Sequence, residues 1–304
     1  MINIIGKKKI WFGVSGALLA VSLAALILWG LKLGIDFTGG SILELHFLAG
    51  RPENVRISEV LKEQGIEGAA IQPVEESDLL IRTKALSEPE HQKIVAALHE
   101  SFKNSDNHKV LEEKGFESVG PTIGAELKSK AILALVLVLL AIIAYIAFAF
   151  RKVSEPVASW KYGVCAVAAL FHDVLIPTGV FALLGKFLGY EVDTLFVTAI
   201  LTVLGFSVHD TIVVFDRIRE NLIKHTAKTF EETVNLSVNE TITRSINTSL
   251  TVLLVLLSVY FFGGASTRNF VLVLILGIVF GTYSSIFIAS PLLVAWHNRQ
   301  KRGK

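Results

Sequence analysis

His209 and Asp210 stand in the stretch LGFSVHDTIVVFDRIREN (Leu204 to Asn221), which begins inside an apolar segment long enough to cross a bilayer. A second pair, His172 and Asp173, interrupts another apolar segment. A carboxylate at the centre of a membrane helix costs about 2.5–3.5 kcal/mol on insertion scales, so it marks a task, usually on a path for protons or ions. Arg244 opens a third apolar segment in NETITRSINTSLTVLL and keeps its charge at any physiological pH. A carboxylate paired with it would be released on protonation. Burial favours the neutral acid and a nearby guanidinium the anion, and Asp210 between these two influences reads as a switch. His172 and His209 read either as donors to backbone carbonyls or as relays that titrate near neutral pH. The competing reading for the whole group is a hydrogen-bonded cluster that only fixes helix packing.

Other chemistries fit less well. Two His-Asp pairs on facing helices suggest a metal-dependent hydrolase, but adjacent helical residues point about 100° apart and no HExxH pattern is present. No glycine-rich phosphate loop points to ATP, so the energy is expected to come from elsewhere, by proton or ion movement, with no cofactor and no metal. Cys165 is the single cysteine and lies in an apolar run, which excludes an intrachain disulfide.

The elements that must position these residues are membrane helices. Of the 304 residues 52% are hydrophobic and 18% charged, with a mean hydropathy of +0.57, well above a soluble domain. Six runs approach the roughly 20 residues that a bilayer requires: Ile10 to Leu31, Ala131 to Phe150, Tyr162 to Leu184, Thr194 to Phe215, Ile246 to Phe262 and Phe270 to Trp296. The first reads as an uncleaved anchor rather than a signal peptide. On the fourth, Phe206, Asp210, Val213, Val214 and Arg217 share a helical face expected to look inward. On the fifth, Thr248 and Thr251 follow Arg244 at helical spacing and are expected to pack inward as well. Asp216, Arg219 and Glu220 lie beyond the apolar run and read, with Arg217, as solvated.

Basic residues collect on one side: Lys7 to Lys9, Arg151, Lys152, Lys161, Arg217, Arg219, Lys224, Lys228, Arg299, Lys301, Arg302 and Lys304. The opposite short loops hold only Lys186 and Arg268, so both termini are expected in the cytoplasm. The net charge of +2 follows from that topology and implies no nucleic-acid partner.

Three regions result: residues 1–33 with the first span, an extracytoplasmic domain at 34–130, and a bundle of five spans at 131–304. In the domain, Ser41 to Leu48, Ile71 to Val74, Asp78 to Thr83 and Gly115 to Val119 read as strands, with a turn over Glu75 to Ser77. Ser58 to Gln64, capped by Ser58 and stopped by Gly65, and Glu88 to Lys103, after Ser87, read as helices. The order βαββαβ predicts a ferredoxin-like α+β sandwich. Gly34 to Glu44 (GIDFTGGSILE, with Asp36, Gly39 and Gly40) and Val119 to Leu127 (VGPTIGAEL, with Pro121) join it to the helices. The paired glycines read either as a tight turn or as a coupling hinge.

GIDFTGG, VGPTIGAEL, FHDV at Phe171 to Val174 and VLGFSVHDTIVVFDRIREN at Val203 to Asn221 resemble the SecD/SecF family of protein-export membrane proteins, on its SecF side, within the resistance-nodulation-division superfamily. The resemblance runs from the first span to the last. It implies a subunit that works with SecD beside the SecYEG translocon, in the company of YajC and YidC and among membrane lipids. The proton motive force would help draw preproteins outward after the SecA ATPase has pushed them. It places the family's proton-pathway aspartate on Asp210 and its arginine on Arg244, with Asp173 in the FHDV position. His209 departs from the asparagine common there. A proton-driven exporter of small molecules or lipids, and a structural scaffold for SecD, are the competing functions.

Overall fold

Each of the six apolar runs forms a helix long and apolar enough to cross a membrane. The structure is a computed structural model and describes residues 1–48, 50–74, 76–102, 111–149 and 157–302. Glu75, Lys103, Phe150, Arg151, Lys152 and Lys304, used above, lie outside the described residues. In chain order the elements are α1 (Lys8–Trp29), the short α2 (Ile35–Thr38), β1 (Gly40–Phe47), α3 (Asn54–Glu63), β2 (Ala70–Pro73), β3 (Asp78–Thr83), α4 (Glu88–Ser101) and β4 (Leu111–Val119). There follow α5 (Pro121–Ala149), α6 (Ser159–Leu188), α7 (Thr194–Ile223), α8 (Phe230–Phe262) and α9 (Ala265–Ser284). A π-helical turn (Ser285–Ala289) carries α9 into α10 (Ser290–Arg302). The chain divides into a helical unit, Met1–Lys32 with Leu133–Lys304, and an α+β unit, Leu33–Ile132.

The α+β unit has the expected βαββαβ order and an antiparallel sheet with strand order β2-β3-β1-β4, as in ferredoxin-like folds. Leu43, Leu45 and Phe47 alternate inward on β1 and meet Ile57, Leu61, Ile94 and Leu98 of the two helices. Helix α4 starts with a capping box, Ser87 with Glu90. Helix α3 ends in a Schellman motif: Gly65 (φ +78°) and Ile66 donate to the Lys62 and Leu61 carbonyls. Ser58 is not its cap, because the helix starts four residues earlier, at Asn54. The register slips between Glu44 and Leu45, so that Lys114 is an extra residue on β4. This bulge aims Lys114 at Asp78, whose other oxygen takes His46 Nδ1 at 2.5 Å. The Lys114 ammonium holds the Asp78 carboxyl below the ordinary carboxylate range, with His46 adding to the effect against the opposing influence of burial.

In the helical unit, α6, α7 and the α9–α10 rod form the centre, while only 6% of the most apolar stretch of α5 and 11% of that of α8 is buried. Two glycine crossings bring the central helices together. A Cβ at Gly277 would lie 2.1 Å from Val203 Cγ2, and one at Gly281 3.0 Å from Ser207 Cβ, so α9 and α7 meet across a GxxxG pair. Gly179 lets α6 approach Ser22 of α1 in the same way. The polar start of α8, capped by Thr229 with Glu232, extends well beyond the apolar run. It grips the N-terminal segment: Asn235 Oδ1 accepts the Ile4 and Ile5 amides at 3.0 and 3.2 Å, and Asn239 bonds both backbone groups of Ile2. Ile4 and Ile5 are buried in the same cluster as Tyr162, Phe215 and Val234.

Candidate functional site

Helix α7 carries Asp210 because its apolar run lets a single carboxylate sit mid-helix, and the Gly277/Gly281 crossing sets which neighbours that carboxylate meets. Asp210 is partly buried. One oxygen accepts from Ser245 of α8 at 2.6 Å and the other from Ser285, the first residue of the π turn. Asp173 on α6 has no exposed surface. It accepts from Ser284 of α9 at 2.6 Å and from Ser207 of α7, and His172 Nδ1 lies 2.9 Å from it. Two carboxyls on different helices are therefore held by adjacent serines of one strand of chain, Ser284 and Ser285.

The donor type decides what such a site can do. A serine hydroxyl donates to a carboxylate and accepts from a carboxylic acid, so it serves both protonation states. An arginine or lysine only donates and locks the anion.

The expected Asp210–Arg244 pair is not formed. Arg244 is exposed on α8 and makes no ion pair among the described residues, while its neighbour Ser245 is buried and takes the aspartate. Residues one apart on a helix differ by about 100° in direction, so only one of the two can face α7. The same offset corrects the inward stripe of α8. Thr248 and Thr251 are exposed, and the buried polar row is Thr233, Ser237, Thr241, Ser245 and Ser249, at strict four-residue spacing. On α7 the fully buried face is Val203, Ser207, Thr211, Val214 and Ile218, with Asp210 and Arg217 on its flank. His209 faces outward and His172 inward, so the two His-Asp pairs do not converge, and the described residues contain no cluster of metal-ligand type. His172 Nε2 is buried without a hydrogen-bond partner among the described residues, and its ring stacks on Tyr283 at 5.9 Å. Arg217 bridges Glu240 at 2.7 Å and Glu220 at 2.6 Å, and Asn221 ties Glu240 to the buried Ser237.

The connecting residues also have a geometry. Gly39 (φ +74°) and Gly40 (φ +135°) adopt left-handed backbone that disfavours side chains. A Cβ on Gly39 would sit 2.8 Å from Pro121 Cα, and one on Gly124 3.0 Å from the Gly39 nitrogen. The outgoing and returning connections thus press backbone to backbone, with Asp36 in the first turn of α2 just before them. The glycine pair forms the tight turn of the first reading, packed on the returning connection.

A family described as "Protein export membrane protein SecD/SecF, C-terminal" matches residues 97–299, two thirds of the chain, and "SecD/SecF GG Motif" matches residues 30–47. The chain belongs to the SecD/SecF family. It is 45% identical to the protein translocase subunit SecF of Thermobaculum terrenum, over 98% of this chain and 95% of that one. It is 41% identical to that of Anaerolinea thermophila, over 99% and 96%. Those relatives, named as subunits of a protein translocase, make it a SecF-type subunit, and with its six apolar helices a multi-pass membrane protein. The crystal structure of SecDF from Thermus thermophilus superposes with a TM-score of 0.81 at 34% identity, covering 98% of this chain. This chain spans 39% of the length of that one. SecDF in a super-membrane-facing form matches with a TM-score of 0.68 over 99% of this chain.

Within this SecD/SecF chain the motif reading found the carboxylates and missed what holds them. Ser207, Ser245, Ser284 and Ser285 were passed over because serine is common and cheap to bury. Two signals could have found them: the four-residue serine and threonine row of α8, and the polar run Thr282 to Ser285 directly after GxxxG in an otherwise apolar span.

Proposed function

We propose that this chain is the SecF-like subunit of a SecD/SecF complex that uses the proton motive force to assist preprotein translocation through SecYEG. The observation that carries the reading is Asp210, a carboxylate inside a membrane helix held by two neutral hydroxyls and, among the described residues, by no cation. It is thereby able to gain and lose a proton without losing its partners. A proton crossing releases about 2.3 kcal/mol per 100 mV, enough to bias a two-state bundle.

Arg244 enters this cycle as the alternative partner. It precedes Ser245 on α8, so a rotation of that helix exchanges the hydroxyl for the guanidinium and holds Asp210 charged. Asp173 and His172 form the inner part of the path, and His209 the outer. The junction of Gly39, Gly40, Asp36 and Pro121 passes the movement to the α+β unit. SecD is the partner that covers the exposed polar face of α8, where Arg244, Thr248 and Thr251 would otherwise meet lipid. The complex sits in the bacterial inner membrane with both termini cytoplasmic, and YajC and YidC associate with it. The test is gradient-dependent preprotein translocation into vesicles containing SecYEG, SecD and this chain or its Asp210→Asn form, with assembly measured in parallel. Loss of gradient stimulation in assembled complexes supports the reading. Retained stimulation refutes it, and loss of assembly favours the scaffold.

A further inference from the structure

Asp173 is more deeply buried than Asp210, yet a single-carrier cycle at Asp210 does not require it. What connects the two is four consecutive residues across the join of α9 and the π turn. Thr282 bonds Ser249 of α8, and Tyr283 accepts from Ser15 of α1 at 3.1 Å. Ser284 donates to Asp173 of α6 at 2.6 Å, and Ser285 to Asp210 of α7. Successive helical side chains fan out by about 100°, so this run touches four different helices, with Ser284 and Ser285 buried and Thr282 and Tyr283 partly so. The helix widens into the π turn at Ser285, the last residue of this run, and the Ser290 hydroxyl donates to the Ser285 carbonyl at 3.1 Å. Such turns recur where helices carry function, because one extra residue per turn leaves backbone groups to be satisfied by other partners.

We propose that Ser284 and Ser285 link Asp173 to Asp210 so that the two carboxyls take up and release protons as a pair, with Asp173 the positioning partner of Asp210. When one carboxyl becomes neutral, its hydroxyl is free to accept instead of donate. That reorients the side chain, and the adjacent residue of the same π-turn entrance feels the change through the shared backbone. The groups of ionisable type around the pair among the described residues are few. At Asp173 it is His172, whose ring stacks on Tyr283; near Asp210 they are Arg244, turned outward beside Ser245, and His209, outward on α7 itself, neither of which faces the carboxyl. Helix α1 presents neutral groups, the Ser15 hydroxyl and the Trp11 carbonyl, both through Tyr283.

The proposal rests on Asp210 being a proton site but is tested without translocation. The full chain in lipid vesicles is titrated by infrared difference spectroscopy, with each carboxyl band assigned by Asp210→Asn and Asp173→Asn. Linked carboxyls predict that Asp173→Asn moves the Asp210 midpoint by about one pH unit. Ser284→Ala, whose side chain bonds neither Asp210 nor the hydroxyls that hold it, should move it by roughly half a unit, and Ser284→Thr should restore it. In a Ser285→Ala background the Asp173→Asn shift should fall by at least half. An Asp210 midpoint that ignores both Asp173→Asn and Ser284→Ala overturns the linkage. A shift that persists undiminished without Ser285 overturns the serine route. Should Ser284→Ala fail to fold, Asp173→Asn decides alone. A linked titration alongside translocation that tolerates Asp210→Asn would keep this inference and sink the functional one.

Discussion

Asp78 in the α+β unit and Asp210 in the bundle are both partly or fully withdrawn from water, and their partners are opposite in kind. Asp78 faces Lys114 and His46; Asp210 faces Ser245 and Ser285, and Asp173 stands between the two kinds, with the Ser207 and Ser284 hydroxyls beside His172. A cation beside a carboxylate fixes its charge, whereas hydroxyls solvate either form. Burial alone therefore does not distinguish a structural aspartate from a working one. The chemistry of the donors does.

The largest expected effect comes from removing the working group. Asp210→Asn should reduce gradient-driven translocation by at least about tenfold in kcat-like rate, the scale of a lost proton-transfer group. Its thermal stability should change by less than about 1 kcal/mol, since the amide oxygen still accepts from one serine. Asp78→Ala should do the reverse. It strands a buried-side lysine contact and should destabilise the α+β unit by about 2 kcal/mol, discounted from the buried-pair value because Lys114 is nearly half exposed. Hydrogen exchange of the β1 and β3 amides reads that loss, while translocation measured below the unfolding temperature stays near wild type.

What the sequence disclosed divides along the same line. Six spans, the βαββαβ order and the buried aspartates were legible because hydropathy, alternation and a charge in an apolar run are strong local signals. The bundle's inner face was misjudged by about one residue on α7 and α8, since Arg244 and Thr248 attract attention and Ser245 and Ser249 do not. The N-terminal clamp by Asn235 and Asn239 joins residues more than 230 positions apart, a long-range pairing that no local pattern announces. Lys114 reaches Asp78 only because a bulge shifts the β4 register, and bulges leave no reliable mark in composition.

Acid sharpens the comparison further. The folded Asp78 carboxyl is held below its ordinary value, so its stabilisation is complete above the unfolded value of about 3.9 and is lost as pH falls through the lower folded one. The α+β unit should therefore keep its exchange protection down to about pH 4 and lose it below. Lys114→Ser, which gives Asp78 a hydroxyl in place of a cation, should move that acid transition upward and cost about 1 kcal/mol. The smallest effect belongs to Ser245→Ala. Asp210 keeps Ser285, so translocation should fall only a few-fold, roughly the loss of one hydrogen bond of about 1 kcal/mol, with assembly unchanged.

Proton uptake by the chain in lipid vesicles after a pH jump across neutrality separates the two kinds of aspartate directly. If hydroxyl-held carboxylates change charge and cation-held ones do not, Asp210→Asn lowers the uptake and Asp78→Asn leaves it at the wild-type value. Uptake that is unaffected by Asp210→Asn, or reduced by Asp78→Asn, would contradict the assignment of the proton to the bundle.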